Sequence, residues 1–181
     1  QGLTVSRQSS NRNAGQYNGD LIPSASAQNY DITTVAGNYK IFPAGTLLIK
    51  ADNISRIYGN TNPARTYTVG GLKGDDTAAD VVDSVSLTVP AAVSGASGDV
   101  GNYAISTSNA VLTAGLGANY DADAIEYFSG VLTITPRTLT VNPSNAITKV
   151  YDGTTALPSG SNYTITGVVG GDDVSVTANG A

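Results

Sequence analysis

The chain has 181 residues, carries nine Lys and Arg against fourteen Asp and Glu for a net charge of −5, and lacks His, Cys, Met and Trp. These absences exclude a Cys nucleophile, a catalytic triad with histidine, a disulfide, and a zinc site of imidazole or thiolate ligands. The acidic balance argues against nucleic acid as a partner, because Lys and Arg supply most of that affinity. No apolar run reaches the roughly 18 residues of a membrane-spanning helix, so we expect no membrane insertion.

The predicted elements are almost all strands. Twenty-one glycines and a single glutamate, Glu126, favour turn-rich β structure over long helices. Within residues 130–136 the apolar residues alternate, which puts Leu132 and Ile134 on one face. A short helix is predicted over 76–82, with Asp76 as its N-cap. In chain order, the predicted strands cover residues 54–58, 67–69, 82–89, 103–106, 110–113, 123–128, 130–136 and 138–141.

A long internal repeat organises the chain. Sequence motifs return after 86 to 97 residues, and the variable interval indicates insertions in loops. Gly37, Ile41 and Pro43 return as Gly130, Ile134 and Pro136. The other matched pairs are 14–17 with 100–103, 29–31 with 119–121, 46–49 with 138–141, 54–58 with 147–151, and 67–76 with 163–173.

The repeat predicts three segments. Residues 1–45 correspond to the C-terminal part of a preceding repeat, 46–137 to a complete repeat, and 138–181 to the N-terminal part of a following one. We expect an all-β fold of tandem small domains, either β-grasp-like or Ig-like sandwiches, arranged end to end. Pro136 would stiffen the joint between two repeats, with about two residues between their strands. Because the first residue is Gln rather than Met, we also expect the chain to be a segment of a longer protein.

The repeated motifs resemble a known family. Residues 57–64 (IYGNTNPA), 67–69, 74–78, 100–105 and 130–136 are together similar to an MBG repeat of the YGX type. Residues 149–156 (KVYDGTTA), followed by 167–174, are similar to the sister YDG repeat. Residues 1–45 look like a divergent tail half. The resemblance implies a very large secreted or surface-attached bacterial protein, similar to filamentous haemagglutinin-like adhesins. We expect no cofactor, apart from the calcium considered below.

The tyrosines are the candidates for ligand contact, because aromatic faces stack on sugars. Eight of the ten recur in pairs: 17 with 103, 30 with 120, 58 with 151, and 67 with 163. Recurrence favours a structural role, with the ring buried and its hydroxyl bonded, and we assign that role to Tyr58 and Tyr151. Tyr39 and Tyr127, with the neighbouring Phe128, do not recur, so they are the ligand-binding or junction candidates.

The paired acids are the candidates for a metal site. Asp75 and Asp76, and their counterparts Asp172 and Asp173, could offer oxygen ligands to calcium. No D-x-D-x-D-G loop with a distal Glu is present, and Gly-Asp-Asp is also typical of an Asx-type turn. We therefore predict turns at both places, with calcium as the alternative.

These observations support two hypotheses on function. The first is a structural and adhesive stalk repeat of a secreted bacterial surface fibre, acting as a rigid spacer in cell adhesion or biofilm formation. Its partners would be other repeats of the same chain. The second is a binding module of the same adhesin that holds a cell-surface or matrix glycan, or associates with itself into fibres. No spacing of acids or nucleophiles indicates catalysis, so we do not expect an enzyme.

Overall fold

The computed structural model describes residues 2–143, 146, 148–156 and 163–176. The predicted segment 138–181 therefore lies partly outside the described residues, and so does Ile147 of the repeated 147–151 motif. The described residues form an all-β fold, which confirms the predicted class. The strands are β1 (Leu3–Arg7), β2 (Gly15–Ala25), β3 (Gly37–Ile41), β4 (Leu47–Ala51), β5 (Ile54–Ile57), β6 (Tyr67–Gly70), β7 (Val82–Thr88), β8 (Gly101–Leu112), β9 (Ile125–Phe128), β10 (Gly130–Thr135), β11 (Thr140–Pro143) and β12 (Tyr163–Thr166).

The chain divides into two compact units. Unit 1 comprises Gln1–Ile54, Ala64–Pro90 and Tyr103–Leu132, and unit 2 comprises Ser55–Pro63, Ala91–Asn102 and Thr133–Ala181. No helix in the described part of the chain is long and apolar enough to cross a membrane.

The strands form four small sheets. In the first, β2 lies between β1 and β3 and is antiparallel to both. In the second, β4 lies between β6, which is antiparallel to it, and β9, which is parallel. A four-stranded sheet has the order β5-β10-β8-β7, and β11 pairs with β12 in an antiparallel ladder.

The core of unit 1 is built on the alternation of β4. Leu47, Ile49 and Ala51 are fully buried, while the residues between them face outward. Leu47 and Ile49 join one apolar cluster with Val81, Val82 and Tyr120. Full burial of a Leu or Ile side chain stabilises the fold by about 1.5–3 kcal/mol.

The alternation predicted for β10 is confirmed. Leu132 and Ile134 are buried, Val131 before them is exposed, and Thr133 between them is partly exposed. The strand ends at Thr135, because the next residue, Pro136, has no backbone N–H to donate to a ladder. However, β11 begins at Thr140 rather than Thr138, so four residues rather than two separate the strands.

The predicted helix is shorter than expected and has a different cap. It is α1 (Ala78–Val81), and its N-cap is Thr77 rather than Asp76. The Asp80 carboxylate accepts hydrogen bonds from the Thr77 amide (3.2 Å) and hydroxyl (2.5 Å). The Asp76 carboxylate instead accepts the Tyr120 hydroxyl at 2.7 Å, and the Asp76 amide closes a turn onto the Lys73 carbonyl, 3.1 Å away.

Two predicted strands, 103–106 and 110–113, prove to be one continuous strand, β8. Asn109 adopts a positive φ of 51°, and the pairing of β7 with β8 shifts register twice. The irregular backbone accommodates residues 107–109, the polar stretch at which the alternation pattern predicted that the strand would be interrupted. The predicted strand 123–128 is also shorter, because a 3-10 turn (Ala122–Ala124) precedes β9.

Recurrence of the tyrosines does not translate into burial throughout. Tyr120 is buried, at 4% exposure, but its counterpart Tyr30 is 77% exposed. Tyr58 is half-buried, whereas its counterpart Tyr151 is 93% exposed. The structural assignment of Tyr151 as a buried ring is therefore wrong for this structure. The reason is that residues 148–156 form no strand, so no sheet neighbour holds the ring against a core.

Candidate functional site

Unit 2 contains a cavity of about 360 Å³, and the loop after β5 forms part of its wall. Its walls carry Tyr58 and Asp172, with Pro136, Leu139 and Val168 supplying apolar surface. The loop reaches it because the Tyr58 amide donates to the Thr135 carbonyl at 2.9 Å, which continues the pairing of β5 beyond Ile57. Strand pairing thus places the tyrosine at the end of β10.

The Tyr58 hydroxyl donates to Asp172 Oδ1 across 3.1 Å, between residues 114 positions apart. This hydrogen bond to Asp172 raises the pKa of Tyr58 above its usual value, and the negative charge of Asp172 adds to the effect. The Asp172 amide in turn donates to the Val169 carbonyl at 3.1 Å. Asp172 therefore closes a turn and holds a tyrosine at the same time.

Two further contacts surround Tyr58. Gly59 has a φ of +81°, and a Cβ at this position would collide with the Val169 side chain. Arg137 Nη1 donates to the Asn60 side-chain oxygen (3.2 Å) and to the Tyr58 carbonyl (3.4 Å). The loop after β5 is therefore held by one tyrosine hydroxyl, one close-packed glycine and one guanidinium.

A buried cation shapes the same loop, and sequence analysis missed it. Arg56 is only 6% exposed, and its Nε donates to the Asn62 side-chain oxygen at 2.6 Å, while Nη2 donates to the Ser97 carbonyl. Asn62 also donates to the Val93 carbonyl, at 2.8 Å. Nη1 of Arg56 is buried without a hydrogen-bond partner among the described residues.

The repeat position of Arg56 was the signal that could have revealed this role. Its counterpart is Lys149, whose ammonium donates to the carbonyls of Thr154 (2.7 Å) and Ala156 (2.9 Å) and pairs with Asp152 at 2.8 Å. In both repeats, a cation two residues before the tyrosine binds the backbone or side chains of later loop residues. A recurring basic residue within an apolar strand indicates such a role, because a buried charge must be hydrogen-bonded.

A second cavity, of about 520 Å³, lies in unit 1 beside the first Gly-Asp-Asp motif. Here the buried Tyr120 donates its hydroxyl to Asp76 Oδ2 at 2.7 Å and accepts the Lys73 amide at 2.8 Å. Burial chiefly raises the pKa of Tyr120, and the hydrogen bond to Asp76 raises it further, while the Lys73 amide opposes them. In both repeats, the aspartate that closes the turn accepts a tyrosine hydroxyl.

Asn119 joins residues 1–45 to the rest of unit 1. Its side-chain oxygen accepts the Ala14 amide at 2.6 Å, and its side-chain nitrogen donates to Asn13 Oδ1 at 3.2 Å. Its carbonyl accepts the Ala44 amide at 2.6 Å, and the Ala44 carbonyl accepts the Asp121 amide at 3.1 Å. Four hydrogen bonds around Asn119 and Ala44 therefore connect the loop between β1 and β2, and the C-terminal end of this segment, to the loop before β9.

The three aromatic ligand candidates occupy two places in unit 1. Tyr39 stands opposite Tyr17 in the pairing of β2 with β3, and the Arg7 guanidinium lies 4.4 Å from the centre of the Tyr39 ring. Tyr127 and Phe128 end β9 and are 41% and 44% exposed. The Tyr127 hydroxyl accepts the Ala110 amide at 3.0 Å.

The acidic pairs form turns built on backbone hydrogen bonds. Asp76 and Asp172 close them, and Asp76 and Asp172 each hold a tyrosine hydroxyl. Asp75 lines the cavity in unit 1, and Asp173 is exposed. The described residues contain no group of three or more acidic side chains placed to hold a metal ion.

Comparison with known families identifies the repeats. The model of the MBG domain (YGX type) matches residues 47–133, and that of the YDG domain matches residues 135–181. The chain contains an MBG domain and a YDG domain. No curated protein and no solved structure matches it.

The residues that line the cavity around Tyr58 come from both domains. Tyr58 and Gly59 belong to the MBG domain, whereas Arg137, Val169 and Asp172 belong to the YDG domain. The hydrogen bond between Tyr58 and Asp172 is therefore a contact between consecutive domains. We call this set of five residues the junction latch.

Proposed function

We propose that the chain is a spacer segment from the stalk of a secreted bacterial surface adhesin or fibre, which acts in cell adhesion or biofilm formation by holding a distal binding domain away from the cell. The observation that carries this proposal is the hydrogen bond from Tyr58 of the MBG domain to Asp172 of the YDG domain. A stalk holds a defined length only if consecutive domains keep a fixed orientation. MBG and YDG domains are not known as enzyme families, and the role that we propose for them is mechanical.

The junction latch is suited to that role because its parts constrain different motions. The hydroxyl of Tyr58 fixes a point on the Asp172 turn, and Arg137 fixes the loop from the opposite side of the domain boundary. Gly59 brings the two backbones close, at the side chain of Val169. Pro136 restricts its own φ and keeps Thr135 extended, which shortens the free part of the connection.

The partners in this proposal are other repeats of the same parent chain. The segments are 1–45 as the end of a preceding repeat, 46–137 as a complete one, and 138–181 as the start of a following one. Residues 1–45 and the MBG domain share hydrogen bonds through the Asn119 side chain and the backbones of Asn119 and Ala44. Such close connections between successive segments favour a continuous stalk over domains on flexible linkers.

A glycan- or self-binding module is the second candidate. It is favoured by the exposure of Tyr127 and Phe128, which are adjacent aromatic residues at the end of an edge strand. In this case the double variant Tyr127→Ala/Phe128→Ala would abolish binding on a glycan array while leaving the junction latch intact.

Rotational tumbling tests the spacer proposal. In the intact chain, we expect ¹⁵N relaxation to give one correlation time for amides of the MBG and YDG domains. Tyr58→Phe combined with Asp172→Asn should separate the two correlation times, because both changes remove the hydrogen bond without a large loss of volume. Tyr39→Phe is the matched control, since that ring lies outside the latch. Independent tumbling of the two domains in the unaltered chain would contradict the proposal.

A further inference from the structure

The sheet β1-β2-β3 repeats part of the four-stranded sheet of the MBG domain. The sequence of β2 corresponds to that of β8, and β3 corresponds to β10 through the matched Gly37 and Gly130, Ile41 and Ile134. In addition, β1 pairs with β2 as β7 pairs with β8, in antiparallel ladders. The order β3-β2-β1 therefore reproduces the order β10-β8-β7.

One strand of the larger sheet has no counterpart in the smaller one. In the MBG domain β5 is the neighbour of β10, but among the described residues β3 has β2 as its sole neighbour. The Tyr58 amide donates to the Thr135 carbonyl at the end of β10, and Phe42 is the residue that corresponds to Thr135. An edge strand with unpaired amides and carbonyls is a site at which another strand can add.

Side-chain exposure agrees with a missing neighbour. Leu132 and Ile134 of β10 are buried, whereas Tyr39, which corresponds to Leu132, is 37% exposed. Leu3, Val5 and Phe42 are exposed as well. The contrast is clearest between β3 and β10: Tyr39 is exposed and Ile41 partly exposed, whereas their counterparts Leu132 and Ile134 are buried.

The Asp75 carboxylate lies in the same cavity as the end of β3. The unit 1 cavity is lined by Ile41, the last residue of β3, and by Asp75 and Asp76. Asp76 already accepts the Tyr120 hydroxyl, but no hydrogen bond to the Asp75 carboxylate is found within the described ranges. In the repeated Gly-Asp-Asp sequence, Asp75 corresponds to Asp172, the residue that accepts Tyr58.

We propose that the open edge of β3 binds a strand of the β5 type from a preceding repeat, and that the tyrosine at the end of that strand donates its hydroxyl to Asp75. This inference rests on the proposed tandem-repeat function and specifies how one repeat recognises the next. The occupant is an Ile-Tyr-Gly strand end, because the same chain shows such a strand on the corresponding edge. Main-chain pairing supplies the attachment, and the tyrosine hydroxyl sets the register.

A synthetic peptide with the sequence of residues 53–61, blocked at both ends, tests the proposal on the full chain. We expect amide shifts in the ¹⁵N spectrum at residues 37–42 and 73–76 on titration to about 1 mM peptide, a range suited to weak strand addition. A peptide with phenylalanine in place of its tyrosine, and the chain variant Asp75→Asn, should each weaken binding about three- to tenfold, the value of one hydrogen bond. Asp83→Asn, an exposed acid on β7, is the control that should bind as the unaltered chain does.

A peptide N-methylated at its tyrosine amide separates strand pairing from other modes of contact. This peptide cannot make the bond that Tyr58 makes to Thr135, so its binding should be lost. Equal binding of the methylated peptide, shifts confined to other surfaces, or no shifts at all would each overturn the proposal. Sedimentation of the chain alone provides a further test: self-association that the added peptide reverses would mean that a second copy occupies β3, and this would overturn the proposed occupant. All of these outcomes are independent of the relaxation test, which reports on the boundary between the MBG and YDG domains.

Discussion

Gly59 lies so close to Val169 that any side chain at position 59 would overlap the valine methyl groups. Gly59 is the third residue of the Ile57-Tyr58-Gly59 motif, and its φ of +81° suits glycine as well. Two separate demands therefore meet at one residue: a left-handed backbone and close approach of the YDG domain. The left-handed backbone is a local requirement of the turn. The close approach to Val169 exists only when the YDG domain is in place.

Gly59→Ala should consequently lower the free energy of unfolding more than a Gly→Ala change at a position where only the positive φ opposes alanine. The control is Gly95→Ala, because Gly95 also has a positive φ (+64°) but open space around it. Gly95→Ala should cost about 1–2 kcal/mol, the penalty of a left-handed alanine. The cost of Gly59→Ala should be greater and should fall when Val169→Ala is added. Equal losses in thermal unfolding at both glycines would contradict the close approach.

Tyr120 and Tyr30 provide a direct test of burial against recurrence. Tyr120→Ala should cost about 3–5 kcal/mol, because it empties a core position and leaves Asp76 and the Lys73 amide without their partner. Tyr30→Ala should stay within about 0.5 kcal/mol, since the ring is exposed. Chemical denaturation of both variants measures the difference. Similar losses would mean that the recurring Asn-Tyr-Asp motif, rather than burial, decides stability.

The buried guanidinium of Arg56 should be more important for stability than its counterpart, Lys149. Arg56→Ala removes hydrogen bonds to Asn62 and to the Ser97 carbonyl from a buried site, and a loss of about 2–4 kcal/mol is expected. Lys149→Ala should cost less than about 1 kcal/mol, because that ion pair is accessible to water. Unfolding midpoints for the two variants decide the point, and a larger loss at Lys149 would refute the argument.

Alkaline pH should weaken both tyrosine–aspartate contacts. The pKa values of Tyr58 and Tyr120 are raised above the ordinary value of 10.0 in the folded chain. A raised pKa in the folded state means that the folded state holds the proton more tightly, so the stabilisation is complete below about pH 10 and disappears as pH rises through the folded pKa. Melting temperature should therefore fall steeply above that pH. Tyr120→Phe should reduce the steepness, and an unchanged slope would contradict the assignment.

Calcium should leave the stability of the chain unchanged. Asp76 and Asp172 use carboxylate oxygens for tyrosine hydroxyls, and the described residues offer no cluster of acids for an ion that needs six to eight oxygen ligands. Differential scanning calorimetry with millimolar calcium and with chelator should give the same melting temperature. A rise with calcium would reveal selective binding to the folded state, because such binding must stabilise it.

Local pattern was enough to predict the class of fold, the repeat and the family. Alternation in 130–136 identified which side chains of β10 face the core, because side chains of a strand point to opposite faces in turn. Local pattern was weaker where the backbone departs from regular geometry. The continuous β8 depends on Asn109 at positive φ and on register shifts against β7, neither of which an alternation pattern contains.

The amino-acid sequence by itself determined that this is a β-rich chain of MBG and YDG repeats without cysteine or histidine chemistry. Only the tertiary structure decided which copy of each repeated residue has a partner: Tyr120 is buried and Tyr30 is exposed, although both stand in an Asn-Tyr-Asp motif. The physical reason is the separation along the chain between the residues that interact. Strand propensity and turn formation depend on residues a few positions apart, whereas burial of Tyr120 depends on Asp76, 44 positions away, and the bond of Tyr58 depends on Asp172, 114 positions away.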